Sequence, residues 1–146
     1  MNLTDFTTTI VVEQSPKDVF HAINNPAGWW QGEIKGHTVN INDEFTYEMA
    51  PFHYSKQKVV ELIPNKKVVW LVTESKLSFT NDPSEWTGTK ICFEISEVNN
   101  KTEIHLTHLG LNPKVECYTD CSNGWTALIQ KSLLSFITTG KGQKVF

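Results

Sequence analysis

Hydrophobic and polar residues alternate along much of the chain, and this period of two predicts strands that have one face in contact with solvent. Residues 7–13 are rich in β-branched side chains, which are typical of strands. Alternation or strand-forming composition predicts further strands at 37–42, 44–49, 55–63, 67–73, 89–98 and 101–109. Pro64-Asn65 and Asn99-Asn100 are plausible tight turns between them. The pattern therefore predicts an antiparallel meander.

A short helix is predicted directly after the first strand. Ser15 suits its N-cap and Pro16 its first position, and Val19, Phe20 and Ile23 then share one face. The segment 24–28 ends this helix and leads into a second helical turn that carries two adjacent tryptophans, Trp29 and Trp30. Neighbouring side chains on a helix diverge by about 100°, so we expect one of these tryptophans to be buried and the other partly exposed.

The C-terminal third predicts one long amphipathic helix. Asn112 can cap it, Pro113 can open it, and it is expected to run to about Thr138, with Gly140 beyond its end. That length is about 25 residues, or roughly 37 Å. Its apolar stripe has three- and four-residue spacing and includes Trp125.

These elements predict an α+β helix-grip fold, in which a curved antiparallel sheet of six to seven strands wraps around the long C-terminal helix, with two short helices after the first strand. The expected inward-facing side chains are bulky: Phe45, Tyr47, Trp70, Phe93 and Trp125. They either fill the space between sheet and helix or line a pocket there. Gly124 either allows a close approach to the helix or is a tolerated weak position, since glycine costs about 1 kcal/mol relative to alanine in a helix.

The composition excludes some classes of partner. The length of 146 residues fits a single domain spanning 1–146. The net charge is −3, and all 13 basic residues are lysines. Arginine is the usual residue for bidentate contacts with phosphate or guanine, so its absence argues against a nucleic-acid-binding protein.

The sequence favours a cytoplasmic protein. Residues 1–6 do not have the basic start and apolar run of a secretion signal, and the longest apolar run, 68–72, is far too short to span a membrane. The three cysteines are interpreted as reduced thiols. Cys117 and Cys121 lie one helical turn apart, as half of a metal site would, but we interpret them as packing residues and predict neither a metal nor another cofactor.

Several stretches together resemble the START-like, birch-pollen-allergen-like superfamily called SRPBCC. They are QSPKDVF at 14–20, the asparagine and proline at 25–26 before the paired tryptophans, EWTGTKICFEI at 85–95, THLGL at 107–111, GW at 124–125 and SL at 132–133. Their order and spacing cover nearly the whole chain. They are most similar to the group named after the activator of heat-shock protein 90 ATPase.

This resemblance implies a deep, mostly apolar cavity between the sheet and the C-terminal helix, and binding of small hydrophobic molecules. Some relatives catalyse cyclisation and others assist the chaperone. The family has no common catalytic residue, so none is carried over and no catalytic residue is predicted. The co-chaperone role belongs to a larger protein with an additional domain, which this chain has no room to include, so we expect ligand binding to be the better interpretation.

The expected ligand-binding residues are aromatic side chains with a few neighbours: Trp30, Phe45, Tyr47, Trp70, Phe79, Trp86, Phe93, His108, Tyr118, Trp125 and Ile129. Among these, we expect Tyr47, His108 and Tyr118 to orient the ligand. His108 is alternatively a neutral core histidine with one hydrogen bond. Phe79 and Trp86 belong to a long connection that either covers a cavity mouth or plugs the open end of the core.

We predict that the protein binds a small, mainly hydrophobic molecule. The sequence favours a binding protein over an enzyme. One alternative is a co-chaperone-like interaction module acting on heat-shock protein 90, with homodimerisation also open. Another is an enzyme of cyclase or hydrolase type in the same cavity, which would need an ionisable pair such as His108 with Asp120 or Glu94.

Overall fold

Seven antiparallel strands form one curved, open sheet in the computed structural model, which describes residues 4–30, 32–78 and 80–145. The strands are β1 (Phe6–Val12), β2 (Glu33–Gly36), β3 (Glu44–Met49), β4 (His53–Ile63), β5 (Lys67–Leu77), β6 (Lys90–Val98) and β7 (Lys101–Leu109). Their order across the sheet is β1-β7-β6-β5-β4-β3-β2. Asn99 and Asn100 both have positive φ, of 52° and 65°, and form the tight turn between β6 and β7.

Two bulges bend the sheet where β4 and β5 pair. The register shifts between Lys56 and Gln57 and again between Val59 and Glu61, which places Thr73 and Val60 as extra residues. A bulge increases the local twist and bends the strand that carries it. These two longest strands therefore curve, and the sheet acquires a concave face on which a helix can lie.

Two short helical elements follow β1. In α1 (Pro16–Ile23), the Ser15 Oγ accepts a hydrogen bond from the Asp18 N–H at 3.2 Å, as the capping pattern predicts. A single 3-10 turn (Pro26–Gly28) then leads into Trp29 and Trp30. The Phe136 ring lies directly on Gly28, so a side chain at that position would clash with it.

The C-terminal helix has three consecutive segments: α2 (Tyr118–Ala127), a π-helical turn (Leu128–Leu133) and α3 (Leu134–Thr139). Gly140 ends it in the left-handed conformation, at φ 85°. The wider π turn turns Ser132 inward, where its Oγ donates to the Trp29 carbonyl at 2.6 Å and accepts from the Gln143 N–H at 3.1 Å. One buried hydroxyl thus connects the helix, the 3-10 turn and the C-terminal segment.

The core lies between the concave face of the sheet and this helix. Trp125, Ile129 and Leu133 project from the helix and are almost fully buried. The sheet contributes Phe45, Trp70, Phe93 and other apolar residues to the same cluster. The fold is therefore the predicted helix-grip arrangement, with the long helix held by the sheet.

One predicted strand is absent, and one real strand was not predicted. The segment 37–42 is not a strand, because the Asp43 carboxylate accepts hydrogen bonds from the backbone N–H groups of Val39 and Asn40, at 3.2 and 2.9 Å, and holds a turn instead. Val39 is 63% exposed. The strand that was not predicted is β2, at one edge of the sheet. Its four residues include only one large apolar side chain, Ile34, so the alternation is too short to detect.

The C-terminal helix begins five residues later than the predicted Pro113. Asn112 does accept a hydrogen bond from the Lys114 N–H, at 3.0 Å, but it caps a turn rather than the helix. The prediction for the paired tryptophans was also wrong, because Trp29 and Trp30 are only 1% and 3% exposed. The turn that carries them inserts both rings between the sheet and the helix, so neither tryptophan ring faces solvent.

Ser132→Ala is expected to destabilise the fold by about 1–3 kcal/mol, because it leaves the buried Trp29 carbonyl and the Gln143 N–H without their partner. Urea unfolding measures the change. The control is Ser96→Ala on the exposed side of β6, which is expected to change the free energy of unfolding by less than about 0.5 kcal/mol. Equal stability of the two variants would contradict the structural role assigned to Ser132.

Candidate functional site

A partly open, mostly apolar pocket of ≈ 160 Å³ lies between the sheet and the first half of the C-terminal helix. Two parts of the chain supply most of its lining, and the connections between elements add Trp30 and Trp86. The β3–β4 hairpin contributes Tyr47, Met49, Phe52 and His53, and the helix contributes Asp120, Cys121, Gly124, Trp125 and Leu128.

Four aromatic rings form the main wall of this pocket. Trp30 stacks on Tyr47 with ring centroids 4.3 Å apart and lies 5.3 Å from Trp125. Trp125 in turn stacks on Trp86, at 6.0 Å and an interplanar angle of 7°. All four side chains are buried. The wall is therefore a set of rings that are held against one another, with apolar faces toward the pocket.

A directional chain of hydrogen bonds fixes the Trp86–Trp125 part of the wall. The Trp125 Nε1–H donates to Nδ1 of His108 at 2.9 Å, so the neutral imidazole carries its proton on Nε2. That Nε2–H donates to the Thr89 Oγ1 at 2.8 Å, and the Thr89 hydroxyl donates to the Trp86 carbonyl at 2.6 Å. Both nitrogens of His108 are thus used within the protein, and burial lowers its pKa to about 3, aided by His53 nearby.

Two carboxylates tie the connection that carries Trp86 to the start of the C-terminal helix. Glu85 accepts hydrogen bonds from the backbone N–H groups of Glu116 and Cys117, at 2.7 and 3.1 Å. Glu116 in turn accepts one from the Asn81 N–H at 3.1 Å. The helix start and this connection are therefore held together, which positions Trp86 over one end of the pocket.

Tyr47 and His53 are the polar aromatic residues of the pocket. Burial raises the pKa of the Tyr47 hydroxyl above its ordinary value, and a hydrogen bond with Trp30 partly offsets this effect. Burial lowers the pKa of His53 to about 4. Both groups are neutral at pH 7, so the pocket interior presents uncharged polar groups, and Asp120 at its exposed rim is the acidic residue among its described lining.

Cys121 lies on the helix side of the pocket, and its thiol is in hydrogen-bond contact with the sulfur of Cys117 one turn earlier. The hydrogen bond to the Cys117 sulfur, together with burial, raises the pKa of the Cys121 thiol, so this side chain remains a protonated packing group. Among the described residues, no three histidine, cysteine, aspartate or glutamate side chains come together in a way that could hold a metal ion.

Four of the expected ligand-binding residues line the pocket: Trp30, Tyr47, Trp86 and Trp125. Six others lie outside its lining: Phe45, Trp70, Phe93, His108, Tyr118 and Ile129. Five of these six are buried in the core, whereas Tyr118 is half-buried at the helix start. Phe79 lies outside the described residues.

The core residues do not reach the pocket because aromatic rings already fill the space in front of them. Trp70 is covered by Trp29 and Trp30, which stack on it at 6.4 and 6.1 Å, and Phe45 and Phe93 each contact Trp70 edge-on at 5.0 Å. The expectation that these rings line an open cavity is therefore corrected.

Sequence reasoning did not select Met49, Phe52, His53, Cys121 or Leu128 as pocket residues. A signal existed for His53, which has the two-residue spacing that places it on the same face of β4 as the buried Ser55 and Gln57. Met49 had the same signal, since it follows Tyr47 at two-residue spacing on β3, whereas Phe52 in the connection to β4 gave no comparable pattern.

The structure does not assemble the ionisable pair that an enzyme would need from His108. Its nitrogens bond to Trp125 and Thr89 rather than to Asp120 or Glu94. His53 bonds to Ser55. Within the described residues, neither histidine has a hydrogen bond to a carboxylate.

Comparison with known proteins identifies related domains. The family model for the Activator of Hsp90 ATPase homolog 1-like protein matches residues 13–137. The solution structure of the Aha1 dimer from Colwellia psychrerythraea is 26% identical, with a TM-score of 0.75, over 94% of this chain and 98% of that chain. No curated protein sequence matches the chain.

Two more distant crystal structures share the fold. Protein MLL2253 from Mesorhizobium loti is 15% identical, with a TM-score of 0.70, over 94% of this chain and 99% of its own. Protein SSP2350 from Staphylococcus saprophyticus is also 15% identical, with a TM-score of 0.70, over 97% of each chain. Within the described part of the protein, none of the helices is both long and apolar enough to cross a membrane.

Stability is expected to fall as the pH decreases from about 6.5 toward 4. His53 and His108 have lowered pKa values in the folded protein, whereas unfolded histidine titrates near 6.5, so the unfolded chain binds protons first. Each of these histidines then costs up to about 1.4 kcal/mol per pH unit. Urea unfolding of the protein and of His53→Phe, measured at pH 7.5, 6 and 5, checks this. An equally steep pH dependence in the variant would contradict the assignment for His53.

Proposed function

The chain belongs to the Activator of Hsp90 ATPase homolog 1-like family, and from this premise we propose that it binds a small, mainly hydrophobic molecule in the aromatic pocket beside its C-terminal helix. The family and fold are those of ligand-binding or co-chaperone-like domains. The observation that carries the proposal is a partly open, apolar pocket whose walls are aromatic rings packed against one another.

The size of the pocket limits the ligand to about one ring. Its ≈ 160 Å³ compares with an engineered apolar cavity of about 150 Å³ in another protein, which binds benzene. Burial of the apolar ligand surface would supply most of the affinity, at about 25 cal/mol per Å² removed from water. The ligand contacts proposed here are Trp30, Tyr47, Trp86 and Trp125 from the expected set, with His53 added from the structure.

Toluene is expected to bind the protein, and Gly124→Leu is expected to weaken that binding at least tenfold. Gly124 lines the pocket, so a leucine there occupies the space that the ligand would fill, while it improves the helix propensity by about 1 kcal/mol. Calorimetric titration and shifts of the tryptophan side-chain N–H signals in NMR spectra measure binding.

The matched control is Asn123→Leu, which adds the same side chain to the exposed side of the same helix and should leave toluene binding unchanged. Both variants should unfold at a temperature near or above that of the unmodified protein. If the unmodified protein binds none of toluene, benzene and α-methylstyrene, the proposal is wrong. Undiminished binding by Gly124→Leu would place the ligand elsewhere.

A co-chaperone-like role is a second candidate, favoured by the similarity to the Aha1 dimer. The match covers 98% of that Aha1 chain, so the Aha1 chain is about as long as this one. A difference in length therefore does not distinguish this chain from that relative. Aromatic and aliphatic side chains such as Phe52 and Val39, 57% and 63% exposed, could contribute to a partner surface. We extend this candidate to homodimerisation, which the same relative suggests.

If this second candidate is correct, the purified protein should sediment at twice its chain mass of 16.6 kDa and should raise the ATP hydrolysis rate of an Hsp90-type chaperone from the same organism. Analytical ultracentrifugation and a coupled ATPase assay measure these two properties. Phe52→Ser tests the exposed ring, with Val98→Ser, at an exposed apolar position on β6, as the control. A monomer that leaves the ATPase rate unchanged would remove this candidate.

The proposed setting is the cytoplasm, where residues 1–146 would act as one helix-grip domain. The three cysteines, Cys92, Cys117 and Cys121, are free thiols buried in the structure, which suits a reducing compartment. The proposed role requires neither a metal nor another cofactor.

A further inference from the structure

Like Trp86, whose Nε1–H has no hydrogen-bond partner among the described residues, His53 lines the pocket with incomplete hydrogen bonds. It lies at the start of β4, where its ring contacts Trp86 edge-on at 4.5 Å and Tyr47 edge-on at 5.0 Å. Its Nε2 is 3.3 Å from the Ser55 Oγ. Its Nδ1 has no hydrogen bond within the described part of the chain.

Two buried residues farther along the same strand determine which nitrogen carries the proton. The side-chain amide of Gln57 donates from Nε2 to the Ser55 Oγ. Since the Ser55 oxygen accepts there, its own hydroxyl proton is available for a neighbour, and Nε2 of His53 is the neighbour in reach. Because Ser55 is fully buried and its hydroxyl has no other acceptor among the described residues, donation to Nε2 satisfies its proton, which assigns the proton of the neutral imidazole to Nδ1.

The orientation of the Gln57 amide sets the direction of this chain. As placed, its Oε1 is a buried acceptor without a partner among the described residues. The opposite orientation would bring Oε1 to Ser55 and leave both amide N–H groups of a fully buried residue unpaired. Unpaired buried donors are rarer in proteins than unpaired acceptors, which favours the orientation in which Gln57 donates.

We propose that Gln57 and Ser55 position His53 as an Nδ1–H donor in the pocket, and that this donor selects neutral ring compounds that carry a hydrogen-bond-accepting oxygen, such as aryl ketones. The inference rests on the pocket being a ligand site, as proposed above, and names the class of ligand that it takes. His53 would contact the oxygen directly, whereas Ser55 and Gln57 act through His53.

The charges around the pocket exclude acidic ligands of the same shape. Its described lining contains no lysine and includes the carboxylate of Asp120 at the rim. Burial holds the pKa of His53 near 4, so the imidazole provides no positive charge at pH 7. A carboxylate ligand would therefore lose its hydration without gaining a cationic partner, whereas a ketone oxygen needs only the single N–H group.

The tautomer can be measured without any ligand. Long-range ¹H–¹⁵N correlation NMR spectra distinguish protonated from unprotonated ring nitrogens in each histidine. His53 is expected to be protonated on Nδ1 and His108 on Nε2, which makes His108 an internal reference with the opposite assignment. In Ser55→Ala, His53 loses its donor to Nε2 and is expected to shift toward the Nε2–H form. A protonated Nε2 on His53 in the unmodified protein would overturn the proposal.

Selectivity is tested with two ligands of nearly equal shape, acetophenone and α-methylstyrene. Acetophenone has a ketone oxygen at the position where α-methylstyrene has a methylene group. The ratio of their dissociation constants is compared between the unmodified protein and His53→Phe, which keeps a ring beside Tyr47 and Trp86. Loss of one hydrogen bond is expected to reduce the preference for acetophenone about two- to tenfold. The control, Tyr54→Phe, changes the next residue on β4 and should preserve the ratio. Benzoate should bind more weakly than acetophenone in every case.

The outcomes separate this inference from the proposed function. Binding of α-methylstyrene with an unchanged ratio in His53→Phe overturns the role of His53 alone, whereas absence of binding by both compounds overturns the pocket function and the ligand class together. His53 also lines a second depression of ≈ 460 Å³, together with Lys76. Magnetisation transfer from acetophenone to Trp86 and Tyr47 supports the aromatic pocket, and transfer to Lys76 instead would overturn the assignment.

Discussion

The packing of Trp30 between the sheet and the C-terminal helix is the constraint on which the site depends. Its ring lies against Tyr47, Trp70 and Trp125, and therefore joins three elements through one side chain. Aromatic rings bury large areas and prefer a limited set of mutual geometries, so this cluster determines how closely the helix approaches the sheet. The pocket lies at one end of the cluster, where the rings of Trp30, Tyr47 and Trp125 form part of its wall.

Directional hydrogen bonds then decide which polar groups remain available inside. His108 is held between Trp125 and Thr89, so both of its nitrogens serve to fix the wall. His53 is held by Ser55 through one nitrogen, and its other nitrogen has no hydrogen-bond partner among the described residues. Two histidines on the same concave face, both kept neutral by burial, thus have different roles because their neighbours differ.

Most of the fold followed from local patterns, and the differences have local causes as well. The cap at Ser15 and the turn at Asn99-Asn100 are confirmed, because each depends on a side chain or backbone conformation specified by a few adjacent residues. The apparent strand at 37–42 was wrong because the Asp43 carboxylate binds the backbone and competes with strand pairing. The later helix start involves a distant residue, since Glu85 binds the N–H groups of Glu116 and Cys117.

The sequence by itself determined the helix-grip fold and the aromatic character of the interior, because periodicity and side-chain volume are properties of short stretches of chain. The family followed from the resemblance of several stretches in their order and spacing, and the family model confirms it. Only the tertiary structure decided which rings lie in the core and which face a pocket. Trp70 and Trp125 are both tryptophans and both buried, yet only Trp125 belongs to the described lining of the pocket. The tertiary structure also decided that His53 faces the site and that His108 supports its wall. Those assignments depend on distances between residues far apart in sequence, which alternation along one strand does not encode.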